Sequence, residues 1–250
     1  MPRRLLFIYA HPDDESFGVA GIARMYADQG AQIALVTATR GDAGRAGEPP
    51  LCAREELAAC RGAELREAAR ILGIGHVTLL DYLDKHLAEA PSGKIRGELV
   101  DAIRRHRPQV VVTFDPDGAS LHPDHIAISR FAIDAVAAAG DGRWYANAGD
   151  AHHVQRLLWT SPVMPWDAPK SPDLAKEAGV DFLVDISKYR GIKAAALRAH
   201  RTQHLSIDRH FFDLPDVDRI LSVETFRQGF GPTLSNRPVA DLFESIVDEP

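Results

Sequence analysis

The chain has 250 residues, 45% of them hydrophobic and 26% charged, with a formal charge of −6, the composition of a globular protein able to bury a sizeable core. Acidic side chains outnumber basic ones 35 to 29 and no Lys/Arg-rich run occurs, so there is no electrostatic footprint for nucleic acid. No apolar run reaches 18 residues, which argues against a transmembrane helix. The run after Met1-Pro2-Arg3-Arg4 is too short for a signal-peptide core; the expectation is a cytoplasmic protein with no membrane insertion.

Leu5-Leu6-Phe7-Ile8 reads as a short buried strand. It runs into Tyr9-Ala10-His11-Pro12-Asp13-Asp14-Glu15, one imidazole and three carboxylates in five residues. Pro12 suits neither a strand nor a helix interior, so the cluster belongs in the turn between a strand and a helix. Residues 16–29 predict that helix, with Gly30 as its C-cap, and residues 31–37 a second strand. Residues 39–50 form a Gly- and Pro-rich loop longer than most connections in a compact domain, as functional loops are. Residues 51–72 read as one long helix. On it Cys52 and Cys60 would stand about 12 Å apart along the axis, too far for a disulfide.

Residues 76–80 are a third strand, followed by an acidic loop through Asp81 and Asp84, and residues 94–106 a helix ended by Pro108. Val110-Val111-Val112-Thr113-Phe114 is the clearest buried strand. Asp115-Pro116-Asp117-Gly118 breaks it, and His122-Pro123-Asp124-His125 opens a helix to about residue 139. Later strands are expected at 156–160 and 182–186, and a helix at 188–200. This rhythm predicts an α/β, Rossmann-like fold with a mostly parallel sheet and helices on both faces. It also predicts a single domain over residues 1–250, less regular from about 140 onward.

Both charged clusters fall at C-terminal ends of predicted strands, the edge where open α/β sheets bind ligands. Together they supply His11, Asp13, Asp14, His122, Asp124 and His125. A catalytic zinc site takes three such ligands and leaves a position for water, whose pKa falls to about 7. A base beside the water and a donor for the oxyanion complete the requirement. Three of the six can bind metal, one can act as base, and one His–Asp pair can supply an oriented imidazole. The set fits metal-assisted hydrolysis of an amide.

Ala10-His11-Pro12-Asp13-Asp14-Glu15 together with His122-Pro123-Asp124-His125 resembles the signature pair of the LmbE-like, or PIG-L, zinc-dependent de-N-acetylases. The resemblance extends to residues 37–44, Arg54-Glu55-Glu56-Leu57, residues 113–118 and residues 193–203, so it spans most of the chain. It implies one zinc ion held by His11, Asp14 and His125, with other divalent metals open. It further implies Asp13 as general base and His122 as the group that stabilises the oxyanion and protonates the leaving amine. Asp124 would hold the His122 ring in the required tautomer. Arg54 and Asp84 match positions that contact the sugar or another polar substrate.

The implied reaction removes an acetyl group from an N-acetylated amino sugar of the N-acetylglucosamine type or its conjugate. An amidase acting on a non-sugar amide or thiol conjugate is the alternative, and a non-catalytic nucleotide-binding module a remote one. The implied partner is a small N-acetylated molecule, and a homo-oligomer stays open. Ala119-Ser120-Leu121 stands where relatives acting on thiol-cofactor precursors carry Gly and Tyr, and Leu121 offers no hydrogen bond. His152-His153 point apart on an extended segment, and the glycines at 41, 44 and 47 lack the strand and helix of a phosphate loop. Glu15 has no direct role in this reading, and His200 only a place near the site. Of the three tryptophans, Trp166 in the Pro-rich stretch 161–172 is the one to test for substrate stacking.

Overall fold

The computed structural model describes residues 2–247. Five parallel strands form the first part of the sheet: β1 (Arg4–Tyr9), β2 (Gln32–Thr39), β3 (His76–Tyr82), β4 (Val110–Thr113) and β5 (Arg156–Thr160). Two more, β6 (Phe182–Asp185) and β7 (Val223–Phe230), complete it in the order β3-β2-β1-β4-β5-β7-β6. β7 lies antiparallel between β5 and β6. The order 3-2-1-4-5 is that of a Rossmann-like α/β sheet, whose ligand crevice opens where the order reverses beside β1.

Helices cover both faces. The α1 (Asp14–Gly18), α2 (Ala20–Asp28) and α3 (Leu57–Leu72) helices follow β1 and β2, and α4 (Ser92–His106) follows β3. Beyond β4 come the short α5 (Gly118–Leu121), then α6 (Pro123–Ala139), and α7 (Arg190–Ala199) after β6. α2, α3 and α7 pack together on one side, α4 and α6 on the other. β1 and β4 are buried along nearly their whole length, as strands covered on both faces must be. One core runs from Leu5 to Phe243. Among the described residues no helix is long and apolar enough to cross a membrane.

Three expectations change. The helix expected over residues 16–29 breaks at Val19 (φ −137°, ψ 11°). The break arises because the Glu224 carboxylate, on β7, accepts the amides of Gly21 and Ile22 at 2.9 Å each and so starts a new helix. The helix expected from residue 51 begins at Leu57, because Ala53 is extended (φ −64°, ψ 157°) and a 3-10 turn over Arg54–Glu56 leads into it. Cys52 therefore precedes the helix, and the separation argued from helical rise does not apply. Its thiol meets that of Cys60, a contact that pushes the Cys52 pKa up to about 11, and both cysteines are free. Finally, β7 was not expected at all.

Glu224 also forms a 2.7 Å ion pair with Lys193 of α7, and both side chains are fully buried. The pair joins β7, the α2 N-terminus and α7 behind the site. Removing one partner strands a buried charge, so Lys193→Met should lower the unfolding free energy by about 3–5 kcal/mol, measured by chemical denaturation. A loss below about 1 kcal/mol, the worth of an exposed pair, would show that this joint holds nothing together.

Candidate active site

β1 ends at Tyr9, and Asp14 shapes the turn that follows. Its Oδ2 accepts the amides of Ala10 (3.1 Å) and His11 (2.8 Å), leaving Oδ1 directed at His125 Nε2, 3.4 Å away. His125 arrives from α6, which His122 caps and Pro123 starts, Pro being preorganised for a first helical position. Gly118 (φ +67°) makes this join possible, since a Cβ there would lie 2.7 Å from the Ile126 nitrogen.

The hydrogen bonds fix where the lone pairs point. His11 Nε2 faces Asp124 Oδ2 at 3.0 Å and Asp84 Oδ1 at 3.2 Å, so it carries a proton, and the bare nitrogen is Nδ1. His125 Nδ1 donates to the Gly118 carbonyl at 3.2 Å, so its bare nitrogen is Nε2. With His11 neutral, these two nitrogens both present lone pairs; they face each other at 3.2 Å, with Asp14 Oδ1 3.4 Å from His125 Nε2 and Oδ2 3.7 Å from His11 Nδ1. Four ligands around an ion at about 2.0 Å stand about 3.3 Å from one another. These spacings are of the size that ligands of a divalent ion show.

His122 also brings a ring nitrogen within 4.8 Å of His11 and His125, but as a different kind of group. Its Nδ1 accepts the Asp124 amide at 3.2 Å, so the neutral ring carries its proton on Nε2 and offers a donor. Burial and the neighbouring imidazoles lower its pKa, which keeps it neutral. The expectation that the Asp124 carboxylate orients His122 is thus corrected. That carboxylate is committed to His11 and to the amides of Lys85 and Leu87; it is the Asp124 backbone that sets the His122 tautomer. At the second position of α6 the side chain turns inward, fully buried.

The two other expected acids also differ in their surroundings. Asp13 stands in the left-handed region (φ 112°, ψ −28°), a conformation costing a non-glycine residue about 1–3 kcal/mol. Burial pushes its carboxyl up to about 6, against the pull of the Arg61 guanidinium. Asp84 turns its oxygens to His11 Nε2 and the Ala43 amide, and so supports a ligand first.

A cavity of about 370 Å³ opens over these groups. Its lining includes the polar side chains of Asp84, Lys85, Arg61 and Ser120 and the apolar ones of Phe17, Met164, Pro165 and Trp166. Trp166 packs its ring 4.5 Å from that of His210 and edge-on to Phe17. Arg54 does not line this cavity; it is exposed, donates to the Gly44 carbonyl and borders a separate groove beside residues 44–50. Arg61 stands at the site instead, donating to the carbonyls of Pro12 and Gly41 and to Asp13 Oδ2 at 3.3 Å. Gly41 is the residue that admits it, because a Cβ there would meet the guanidinium at 2.1 Å. Arg61 carried a sequence signal that was missed: it interrupts the buried stripe Leu57, Leu65, Ala68 and Leu72 of α3, where a charge needs a partner.

The PIG-L family, GlcNAc-PI de-N-acetylase, matches residues 6–136. A 1D-myo-inositol 2-acetamido-2-deoxy-alpha-D-glucopyranoside deacetylase of Streptomyces avermitilis is 32% identical, the alignment covering 98% of each chain. Among solved structures, the N,N'-diacetylchitobiose deacetylase of Pyrococcus horikoshii superposes with a TM-score of 0.69 at 24% identity, covering 90% of this chain and 83% of that one. A 4-carboxy-2-hydroxymuconate hydratase of Pseudomonas putida KT2440 reaches 0.66 at 19% identity, covering 94% and 99%. One fold therefore carries more than one reaction, and the site must decide between them.

The metal-free cluster needs a positive charge: burial lowers the His11 pKa, yet Asp124 and Asp84 together raise it to about 10. At neutral pH an incoming ion must displace that proton. Metal-free protein should release about one proton per divalent ion bound, with the logarithm of affinity rising about one per pH unit between about pH 6 and 9. Calorimetric titration in buffers of different ionisation enthalpy measures both; an affinity independent of pH would rule this linkage out.

Proposed function

The chain belongs to the PIG-L family of GlcNAc-PI de-N-acetylases, and we propose that it hydrolyses the acetamide of an N-acetylated amino sugar conjugate, using zinc. The observation that supports this most is the convergence of two imidazole lone pairs and one carboxylate on one point, with Asp13 and a neutral His122 facing the same cavity. His11, Asp14 and His125 would hold the zinc ion, which when bound would supply Lewis acidity and make water more acidic.

The chain's own residues do the rest. Asp13, with a pKa of about 6, is ionised at neutral pH and basic enough to take a proton from the attacking water. His122 presents Nε2–H toward the cavity as a donor for the oxygen that becomes negative in the transition state. Because its ring is neutral, we assign return of the proton to the leaving amine to Asp13, which holds one after the attack. His11 is kept in a single tautomer by Asp124 and Asp84, the usual support for a ligand imidazole. Arg61 replaces Arg54 as the cation lining the cavity.

The relatives' names specify inositol as the group attached to the sugar, and nothing requires this chain to share it. Leu121 is 72% exposed, and the cavity lining includes the aromatic rings of Phe17 and Trp166. Those features favour a conjugate whose second part is apolar rather than a polyol. We read the chain as one domain, a view supported by the core that joins both halves of the sheet.

Zinc-loaded protein should release acetate from a panel of N-acetylglucosamine conjugates, and Asp13→Asn should lower kcat by about 10²–10⁴-fold. Wild-type protein that carries zinc and leaves the whole panel intact would refute the assignment. The acid limb of kcat/KM should fall as pH drops through about 6, where Asp13 becomes protonated. Trp166→Ala should raise KM about tenfold for aryl glycosides of N-acetylglucosamine while changing kcat less than about threefold. An unchanged KM would remove Trp166 from the binding surface.

A further inference from the structure

We infer that Glu15 and His200 form a buried positioning pair that holds Asp13 in the backbone conformation from which its carboxylate reaches the cavity. The inference rests on the reading of Asp13 as the base, and names two residues to which that reading gives no task.

Asp13 has a side chain in a region that favours glycine, so contacts around it must maintain that conformation. Its carbonyl starts α1 by accepting the amides of Ser16 (2.9 Å) and Phe17 (3.1 Å). Its own amide donates to Glu15 Oε2 at 3.1 Å. The other Glu15 oxygen, Oε1, takes the Ser16 hydroxyl at 2.6 Å and His200 Nε2 at 2.7 Å. Three donors thus surround one carboxylate, and Glu15 and His200 are both completely buried. Neither lines the cavity over the metal cluster, so neither is placed to touch substrate.

The partner comes from far along the chain. His200 sits at the C-terminal end of α7, 185 residues after Glu15. Its segment is tied down on both sides: the amide and hydroxyl of Thr202 donate to Glu64 of α3 at 2.9 and 2.7 Å. The Gln203 side chain donates to the Arg45 carbonyl at 2.7 Å. An anchored imidazole fixes the Glu15 carboxylate, which fixes the Asp13 amide. From the other side Arg61 grips the Pro12 carbonyl and Asp13 Oδ2. The base is held between two clamps, and only the Arg61 clamp touches its carboxylate.

The donor pattern makes the roles specific. All three groups donate to the Glu15 carboxylate; a glutamine keeps one carbonyl acceptor, so either the Asp13 amide loses its partner or the Ser16 hydroxyl and His200 must turn over to accept. At position 200 a glutamine can still donate, whereas a phenylalanine cannot.

The test uses the full-length, metal-loaded protein with His200→Phe, His200→Gln and Glu15→Gln. Metal content, kcat, KM and the crystallographic Asp13 φ are measured for each. His200→Phe and Glu15→Gln should keep one ion per chain, lose about ten- to a hundredfold in kcat and keep KM within about twofold. In both, Asp13 should leave positive φ. His200→Gln should recover kcat to within about threefold of wild type. Glu15→Gln, being isosteric, decides the question should His200→Phe not fold.

The inference is overturned if Asp13 keeps its conformation in both disruptive variants, or if the fall in kcat only follows loss of metal. A wild type inert toward amides sinks the hydrolase reading instead, while the Asp13 backbone in the variants still decides the positioning claim.

Discussion

Two imidazole lone pairs 3.2 Å apart beside an ionised carboxylate make a point of concentrated negative potential, and the fold is arranged to keep it so. Each ring has its other nitrogen occupied, His11 by Asp124 and Asp84, His125 by the Gly118 carbonyl. Neither can turn over to relieve the crowding without abandoning a buried partner. The elements that enforce this come from three crossovers: the β1 turn, the loop after β3 that carries Asp84, and the start of α6. A cation is the natural complement of such a point, and the charge on His11 in its absence is the same demand met by a proton.

The cavity above the cluster has a mixed lining, with Arg61, Asp84 and Lys85 beside Phe17, Met164 and Trp166. Asp13 and His122 belong to opposite motifs, and their proton states are set by different means. Burial raises the first toward neutrality, while a backbone amide and neighbouring imidazoles keep the second uncharged.

Much of this was legible in the residues because the motifs are contiguous and lie at strand ends. Alternating apolar runs placed β1 to β6 and most helices within a few residues. What escaped has a common cause: partners distant in the chain. The family resemblance pairs Asp124 with His122, yet the helical start turns its carboxylate toward His11. β7 was hidden because Glu224 breaks an apolar alternation, and only its pairing with Lys193 and the α2 amides explains a carboxylate there. Arg54 lies just before α3 and Arg61 on it, and burial rather than composition separates them. Nothing near Glu15 indicates His200.

The position of β7 has a bearing on how the protein comes into being. A ribosome delivers His11, Asp14, His122 and His125 within roughly the first half of the chain, and parallel strands β1 to β4 can pair from that material alone. The segments that brace the site arrive last: His200 behind Glu15, then Glu224 at the head of α2. A single domain folds as a unit, so the donors become a braced site only once the chain through residue 224 has been made.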